Sequence, residues 1–325
     1  MDIQVILNQM IVLFILMALG FILGKAKVLT RDGNKMLSRL VLFVALPCTV
    51  LSSVFKNESD VTIGITAGFL LYVLLAYVIA FAVSVPVIYF TCRKKKDDRG
   101  MLNFMSVFGN TGFMGFPVVT AIFGVASAYY VGLFNIPFNL LVFSLGIFLI
   151  SRRSTKKENP AEGESAPEGE KTGGGFSPKF LLNPVLLAIF LTIPLAVTGA
   201  QPPAIIADFL EITGSLTTPG AMLVIGSTLA MVPLKTISKE WQIIPVTLLK
   251  LIIIPLLTWL ILKQIVNDQL MLGVLVVLAG MPTAAMASML AIEYDGNEQI
   301  ASAGVFVTTL LCGVTVPLFV YLLLM

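Results

Sequence analysis

The polar and helix-breaking residues of this chain gather in two short stretches that interrupt apolar segments. Residues 109–117 read GNTGFMGFP, and residues 280–283 read GMPT. Glycine weakens a helix, and proline removes a backbone donor and clashes with the preceding turn. Because proline suits the first turn of a helix, we predict two broken helices whose second halves begin at Pro117 and Pro282.

These breaks have the features of an anion site. A half-helix presents unpaired N–H groups and about half a positive charge at its N-terminus. If both N-termini point to the membrane midplane they favour an anion, and the two broken segments contain no aspartate or glutamate to oppose it. The alternative is that both prolines merely kink packed helices. The residues that we predict to contact substrate are Asn110, Thr111, Gly112, Phe116, Pro117, Met281, Pro282, Thr283, Asn135, Asn139, Thr49 and Ser52.

Three further polar residues have two interpretations each. Lys250 lies inside an apolar segment, where a lysine costs about 3 kcal/mol on insertion scales unless it is compensated. We expect its ammonium to brace the unwound backbone, in the place where membrane carriers with broken helices hold sodium, or to titrate as the protein works; the alternative is a side chain that extends to the cytoplasmic surface. Asn135 and Asn139 share a helical face, and either substrate or the broken backbone of a neighbouring helix would pair with them.

Several classes of chemistry lack the residues they need. The chain has no histidine, and its three cysteines, Cys48, Cys92 and Cys312, lie in or beside apolar segments without metal-ligand spacing. No Ser–Lys, paired-Asp or His–Glu constellation occurs within a span, so we predict no catalytic site, metal or cofactor. The net charge of +3 does not indicate a nucleic-acid partner.

The composition places these segments in a membrane. Hydrophobic residues make up 57% of the chain, charged residues 12%, and the mean hydropathy is +0.96. A soluble chain carries about twice that charged fraction. Windows of about 20 apolar residues predict an all-α polytopic membrane protein of about ten spans, of which spans four and nine are broken. The predicted spans are residues 3–24, 36–55, 63–92, 102–123, 126–150, 180–197, 203–232, 241–264, 270–292 and 300–324.

Charge in the connections predicts the orientation. Lysine and arginine number 18 in the odd-numbered connections and 2 in the even-numbered ones. Cytoplasmic loops carry the excess of positive charge. We therefore expect a protein of the cell membrane with both termini outside and the central loop in the cytoplasm.

The two halves of the chain carry a repeat signature. Three prolines of the first half recur in order in the second half, at separations of 172, 169 and 165 positions. The pairs are Pro47 with Pro219, Pro86 with Pro255, and Pro117 with Pro282. With five spans in each half, the second repeat must be inverted relative to the first. We divide the chain into a first repeat (1–150), a disordered cytoplasmic linker (151–178) and an inverted second repeat (179–325).

The sequence around the first break is similar to that of the auxin efflux carrier family, bacterial permeases related to plant auxin carriers. Asn110-Thr111 followed by residues 114–117, MGFP, carries this resemblance. Other positions that resemble the family occur in order along essentially the whole chain. They are Leu46-Pro47, Asn183-Pro184, residues 280–282 and Glu293-Tyr294.

The resemblance implies an inverted repeat of the kind found in sodium/proton antiporters and bile-acid symporters. Spans one, two, six and seven would form a scaffold, and the others a transport domain that moves as an elevator. It also implies carboxylate substrates, indole acetate for plant carriers and dicarboxylates such as malate or malonate for bacterial ones, with Asn110 contacting the carboxylate. Span three here lacks the acid and lysine of the plant carriers, so the resemblance does not imply proton coupling.

Residues and resemblance together predict a secondary transporter of a small organic anion, bound where spans four and nine cross. A sodium-coupled symporter or cation/proton antiporter on the same fold is the alternative within transport. A membrane sensor or scaffold that acts through the central loop is the alternative outside it. The expected partners are the anion and the lipid bilayer, and the resemblance is compatible with a homodimer.

Overall fold

The computed structural model describes residues 3–55, 63–93, 96–151, 187–188, 190–191, 194–195, 198, 202–231, 240–294 and 296–324. Regular structure in these ranges is helical, apart from an isolated antiparallel bridge. We number the described helices in chain order. They are α1 (Ile3–Lys25), α2 (31–55), α3 (Ile63–Thr91), α4 (Arg99–Val107), α5 (Thr111–Phe123), α6 (Val125–Ser151), α7 (Ala204–Met231), α8 (Ile243–Leu262), α9 (Gln269–Ala279), α10 (Ala287–Glu293) and α11 (298–324).

The described helices fit the predicted multi-pass membrane protein. Six are long and apolar enough to cross a membrane, namely α2, α3, α6, α7, α8 and α11. Helix α1 coincides with span one, α4 and α5 together with span four, and α9 and α10 with span nine. Span six (180–197) lies outside the described residues except for short pieces, and linker residues 152–178 lie outside them entirely. The count of ten spans and the division into repeats therefore stay predictions.

Helices α1, α2 and α7 pack together through glycines. A Cβ on Gly20 of α1 would lie 2.5 Å from the carbonyl oxygen of Leu223 on α7, and Gly226 of α7 meets the backbone of Met17 in the same way. Small residues allow such close approach of membrane helices. Helix α7 also contacts α2, where the Thr49 hydroxyl donates to the Gly214 carbonyl at 2.9 Å. Gly20 and Gly226 thus permit the close contact between α1 and α7.

An aromatic cluster supports the break between α4 and α5. The ring of Phe108, the first residue after α4, is fully buried. Its centroid lies 4.9 to 6.1 Å from the rings of Phe104 on α4, Tyr77 and Phe81 on α3, and Phe138 on α6. Aromatic pairs at this distance stabilise by about 0.5–1.5 kcal/mol beyond the area they bury. The extended backbone after Val107 thus begins from a fixed anchor.

Candidate functional site

Two extended segments cross where the broken spans meet. Helix α4 ends at Val107 and α5 begins at Thr111, while α9 ends at Ala279 and α10 begins at Ala287. The segments pair in an antiparallel sense: the Asn110 amide donates to the Pro282 carbonyl at 2.7 Å, and the Ala284 amide donates to the Phe108 carbonyl at 3.0 Å. Each break therefore satisfies backbone groups of the other, as membrane depth requires. Both predicted breaks are confirmed, and they cross.

The α-helical part of α5 begins at Phe116 with Pro117 in its first turn, as predicted, although a π-helical turn precedes it. Helix α10 begins at Ala287 and not at Pro282, so that part of the prediction was wrong. Asn110 caps α5, since its Oδ1 accepts a hydrogen bond from the Phe113 amide at 3.2 Å. A π-helical turn over Thr111–Gly115 then leads into Pro117. Pro282 lies in the extended segment and contributes a carbonyl oxygen to the crossing. The asparagine cap thus adds a π-helical turn before the α-helical turn that contains the proline.

Each break is braced by a polar side chain on the next span along the chain, α6 for the first break and α11 for the second. Thr111 Oγ1 donates to Asn135 Oδ1 on α6 at 2.8 Å, and the Thr283 amide donates to Thr308 Oγ1 on α11 at 3.0 Å. Thr283 Oγ1 also donates to the Met105 carbonyl at 3.0 Å, which ties the second segment to α4. Thr283 follows Thr111 by 172 positions and Thr308 follows Asn135 by 173, close to the proline separations. Sequence reasoning missed Thr308, which only this spacing marks.

The remaining predicted residues near the crossing contact other groups of the protein. Of the two partners considered for Asn135, substrate or the broken span of a neighbour, the structure shows the second, through the Thr111 side chain. Asn139 is half-buried and donates from Nδ2 to the Asn135 carbonyl at 2.7 Å, one turn along α6. Met281 is fully buried, and a Cβ on Gly109 would lie 3.3 Å from the Cβ of Met281. Asn135 and Met281 therefore contact the crossing directly, whereas the hydrogen bond of Asn139 stays within α6.

The N-terminus of α5 carries donors without acceptors. The Asn110 side chain is 5% exposed, and within the described ranges its Nδ2 has no acceptor. The main-chain nitrogen of Gly112, in the first turn of the helix, likewise has none in the described part of the chain. A Cβ on Gly112 would have no atom within 4 Å. This helix end is thus bordered by open space.

A cleft of about 150 Å³ continues along the same helix. It separates α5 from α2 and α7. Its lining includes the predicted residues Thr49, Ser52, Phe116 and Pro117, together with Thr120, Thr217 and Thr218. Gly112, Phe116 and Thr120 are spaced by four residues and share one face of α5. The cleft and the open space beside Gly112 therefore lie along one helix face.

An acidic residue that sequence reasoning missed also lines the cleft. Glu211 lies in the first half of α7 and is exposed. It lies within predicted span seven (203–232), and the sequence does not show that it borders a cleft. The cleft accordingly has a carboxylate in its wall.

Lys250 lies against the other side of the crossing. Its side chain is 2% exposed, and its Nζ donates to the Val107 carbonyl at 3.0 Å. Val107 is the last residue of α4, so the ammonium contacts the backbone end that the break leaves free. The alternative of a side chain that extends to the surface is contradicted by this burial.

Comparison with known proteins assigns the chain to a family. A family model described as "Membrane transport protein" matches residues 5–320. The chain belongs to this family. The resemblance to auxin efflux carriers is confirmed, and the protein is a multi-pass membrane transport protein.

Relatives in bacteria and archaea match along nearly their whole length. A protein of Rhizobium meliloti (strain 1021) named "Putative malonate transporter" is 26% identical over 95% of this chain and 93% of its own. An "Uncharacterized transporter" of Methanothermobacter thermautotrophicus is 27% identical over 94% of each chain. "Uncharacterized transporter YfdV" of Escherichia coli (strain K12) is 22% identical over 97% of this chain and 96% of its own. All three are described as transporters.

Proposed function

We propose that this transport protein is a secondary transporter of a small organic anion, whose carboxylate binds at the N-terminus of α5. The observation that supports this most strongly is the pair of donors on Asn110 Nδ2 and Gly112 N–H, which lack acceptors among the described residues beside open space. A carboxylate supplies two acceptor oxygens. Charge-assisted hydrogen bonds of this kind, at a helix end with about half a positive charge, favour an anion.

The charges on the helices around the crossing also favour a negatively charged substrate. Helices α5, α8 and α9 contain no aspartate or glutamate, and Lys250 places a cation on α8. Opposite charges interact more strongly in a medium of low dielectric constant than in water. An anion at the start of α5 is therefore attracted by both the helix end and the lysine.

The substrate class that we propose is a short dicarboxylate. The malonate in the name of the Rhizobium meliloti relative points to this class. The hydroxyl-bearing lining of the cleft, with Thr49, Ser52 and Thr217, suits a second polar group on the ligand. Indole acetate, with one carboxylate and a large apolar ring, is the contrasting test compound.

The location of the cleft supports an alternating-access mechanism. The cleft separates α5 from α2 and α7, and α1, α2 and α7 are joined by close glycine contacts. We propose that the α1–α2–α7 group is the scaffold and that the crossing moves past it as an elevator. In the proposed orientation, with both termini outside, the cleft opens toward the outer side of the cell membrane.

Glu211 favours a second candidate function. A carboxylate in the wall of the cleft is the kind of group that holds sodium or a proton in coupled carriers. A sodium-coupled symporter or a cation/proton antiporter would use it directly. Replacing Glu211 with glutamine separates the two: a carrier of an anion alone keeps its transport rate, whereas a cation-coupled carrier loses it.

Uptake into proteoliposomes tests the proposed function. Radiolabelled malonate is supplied outside, and unlabelled malate, succinate, indole acetate or neutral malonamide is added as competitor. We expect protein-dependent uptake that short dicarboxylates inhibit and malonamide does not. Uptake no faster than in protein-free liposomes, for malonate and for labelled succinate, would contradict an anion carrier of this class.

A further inference from the structure

The two halves of the broken span present opposite electrostatic poles to each other. Helix α4 ends at Val107 with its negative pole, and α5 begins at Thr111 with its positive pole, each equivalent to about half an elementary charge. Only residues 108–110 separate them. The negative end of α4 would therefore cancel much of the attraction that α5 offers to an anion.

Lys250 lies on that negative pole. Its Nζ donates to the Val107 carbonyl, one of the last carbonyls of α4, which no later turn of the helix can bond. Cations are stabilised at a helix C-terminus for this reason. With the pole of α4 neutralised, the positive end of α5 is no longer opposed.

The backbone around Lys250 leaves space for its side chain. A Cβ on Gly109 would lie 3.0 Å from Nζ and 3.2 Å from Cε of Lys250, so a glycine leaves the room that the ammonium occupies. The lysine lies in a π-helical turn over Leu249–Ile253, a distortion frequent at functional sites. Thr111 and the ring of Tyr77 line the same small cavity of about 10 Å³ beside it.

In the described part of the chain, no carboxylate pairs with the charge on Lys250. No described aspartate or glutamate forms an ion pair with its Nζ. The residue is nevertheless almost completely buried, with 2% of its surface exposed. Removing an ammonium from water costs several kcal/mol, and one carbonyl offsets only part of that cost. A bound anion at the neighbouring end of α5 would supply the missing negative charge.

We propose that Lys250 is a built-in cation of the crossing, which takes the place of a co-transported metal ion and lets the carboxylate bind without sodium. In membrane carriers with broken helices, the C-terminal ends of half-helices commonly coordinate sodium. Here the ammonium occupies such an end. Lys250 is thus a positioning residue that acts through the field at α5, and this inference rests on the proposed anion site.

Calorimetric titration of the purified wild-type protein tests the inference without any variant. Malonate is titrated in sodium chloride and in choline chloride of equal concentration. We expect dissociation constants that agree within about twofold. A loss of affinity of tenfold or more in choline would overturn the inference and leave the proposed function standing. Failure to bind malonate, succinate or malate in either salt would overturn both.

A variant test separates charge from packing. Lys250→Met keeps the length of the side chain and removes the charge, and Lys263→Met, at the exposed end of α8, is the matched control. We expect Lys250→Met to weaken malonate binding at least tenfold. The loss of affinity for the singly charged monomethyl malonate should be smaller than that by a factor of at least three. Lys263→Met should change neither.

The fold of each variant is checked by gel filtration and thermal unfolding. An equal loss for both ligands in a folded Lys250→Met protein would indicate packing and overturn the inference. Unchanged malonate affinity would do so as well. If Lys250→Met does not fold, the comparison of the two salts on the wild-type protein decides.

Discussion

The main-chain nitrogen of Asn110 lies 2.7 Å from the carbonyl oxygen of Pro282 and donates a hydrogen bond to it. This bond occupies the backbone of Asn110, and Phe113 occupies its side-chain oxygen. Of the polar groups of Asn110, the side-chain nitrogen is the one that has no partner among the described residues and is left for a ligand. The crossing thereby leaves the side-chain amide of Asn110 as its hydrogen-bond donor to a ligand.

Replacing Asn110 with serine separates capping from substrate binding. Serine also caps helices well, so α5 keeps its first turn, but the amide donor is lost. A hydrogen bond to a charged group contributes about 1.5–3 kcal/mol, which corresponds to a loss of affinity of about tenfold or more. Titration with malonate measures the effect. Asn110→Ala is the companion variant: it should bind as weakly as Asn110→Ser and also unfold at a lower temperature. Full affinity in Asn110→Ser would remove the residue from the site.

Replacing Gly112 with alanine should fill the proposed site without harming the fold. The new Cβ would meet no atom within 4 Å, and alanine is favoured over glycine in a helix by about 1 kcal/mol. We expect unchanged or higher thermal stability with malonate uptake reduced severalfold. Gly68→Ala on α3, where a Cβ also meets nothing, is the control and should transport normally. Normal uptake by Gly112→Ala would place the substrate elsewhere.

Replacing Thr308 with valine tests the brace of the second break. The Thr283 amide would lose its acceptor, and a buried donor left unpaired costs about 1–3 kcal/mol. Thr258→Val is the matched control, because the buried Thr258 hydroxyl has no partner among the described residues and its loss should be neutral or stabilising. Chemical unfolding in detergent compares the two. Equal stability of both variants would show that the Thr308 brace is dispensable.

Replacing Gly109 with alanine should crowd Lys250. The methyl group would lie 3.0 Å from Nζ and 3.3 Å from the Cβ of Met281, and overpacking of this kind costs about 1–3 kcal/mol. Shortening the lysine in the double variant Gly109→Ala/Lys250→Ala relieves the nearer contact. In a double-mutant cycle on unfolding free energy, we expect a favourable coupling between the two changes. Strict additivity would mean that Lys250 does not limit the size of residue 109.

Much of the fold could be predicted from the sequence because the membrane imposes simple rules. Apolar windows gave the described spans, and glycine with proline inside such windows marked both breaks. Where the helices restart could not be predicted, because it depends on competition between Asn110 as a cap and Pro117 as a first-turn residue. The outcome also depends on the pairing of the two segments, in which the Pro282 carbonyl is an acceptor. This pairing is a tertiary contact that the sequence does not show.

The candidate site was predicted in part. Thr49, Ser52, Phe116 and Pro117 were named from scattered positions and line one cleft. Thr308 was missed because an isolated threonine in an apolar span looks like many others. Glu211 was missed because the sequence of a span does not reveal which acid turns toward a cleft. Such roles depend on tertiary contacts that hydropathy and spacing do not encode.

The central claim is that a small carboxylate is carried from a site at the start of α5, and charge movement tests it most directly. Proteoliposomes on a solid-supported membrane receive concentration jumps of malonate or of neutral malonamide, with wild-type protein and with Asn110→Ser. We predict a wild-type current with malonate alone, reduced about tenfold or more in the variant at the same concentration. Currents that follow sodium or pH jumps but not malonate, or a malonate current that Asn110→Ser leaves intact, would contradict it.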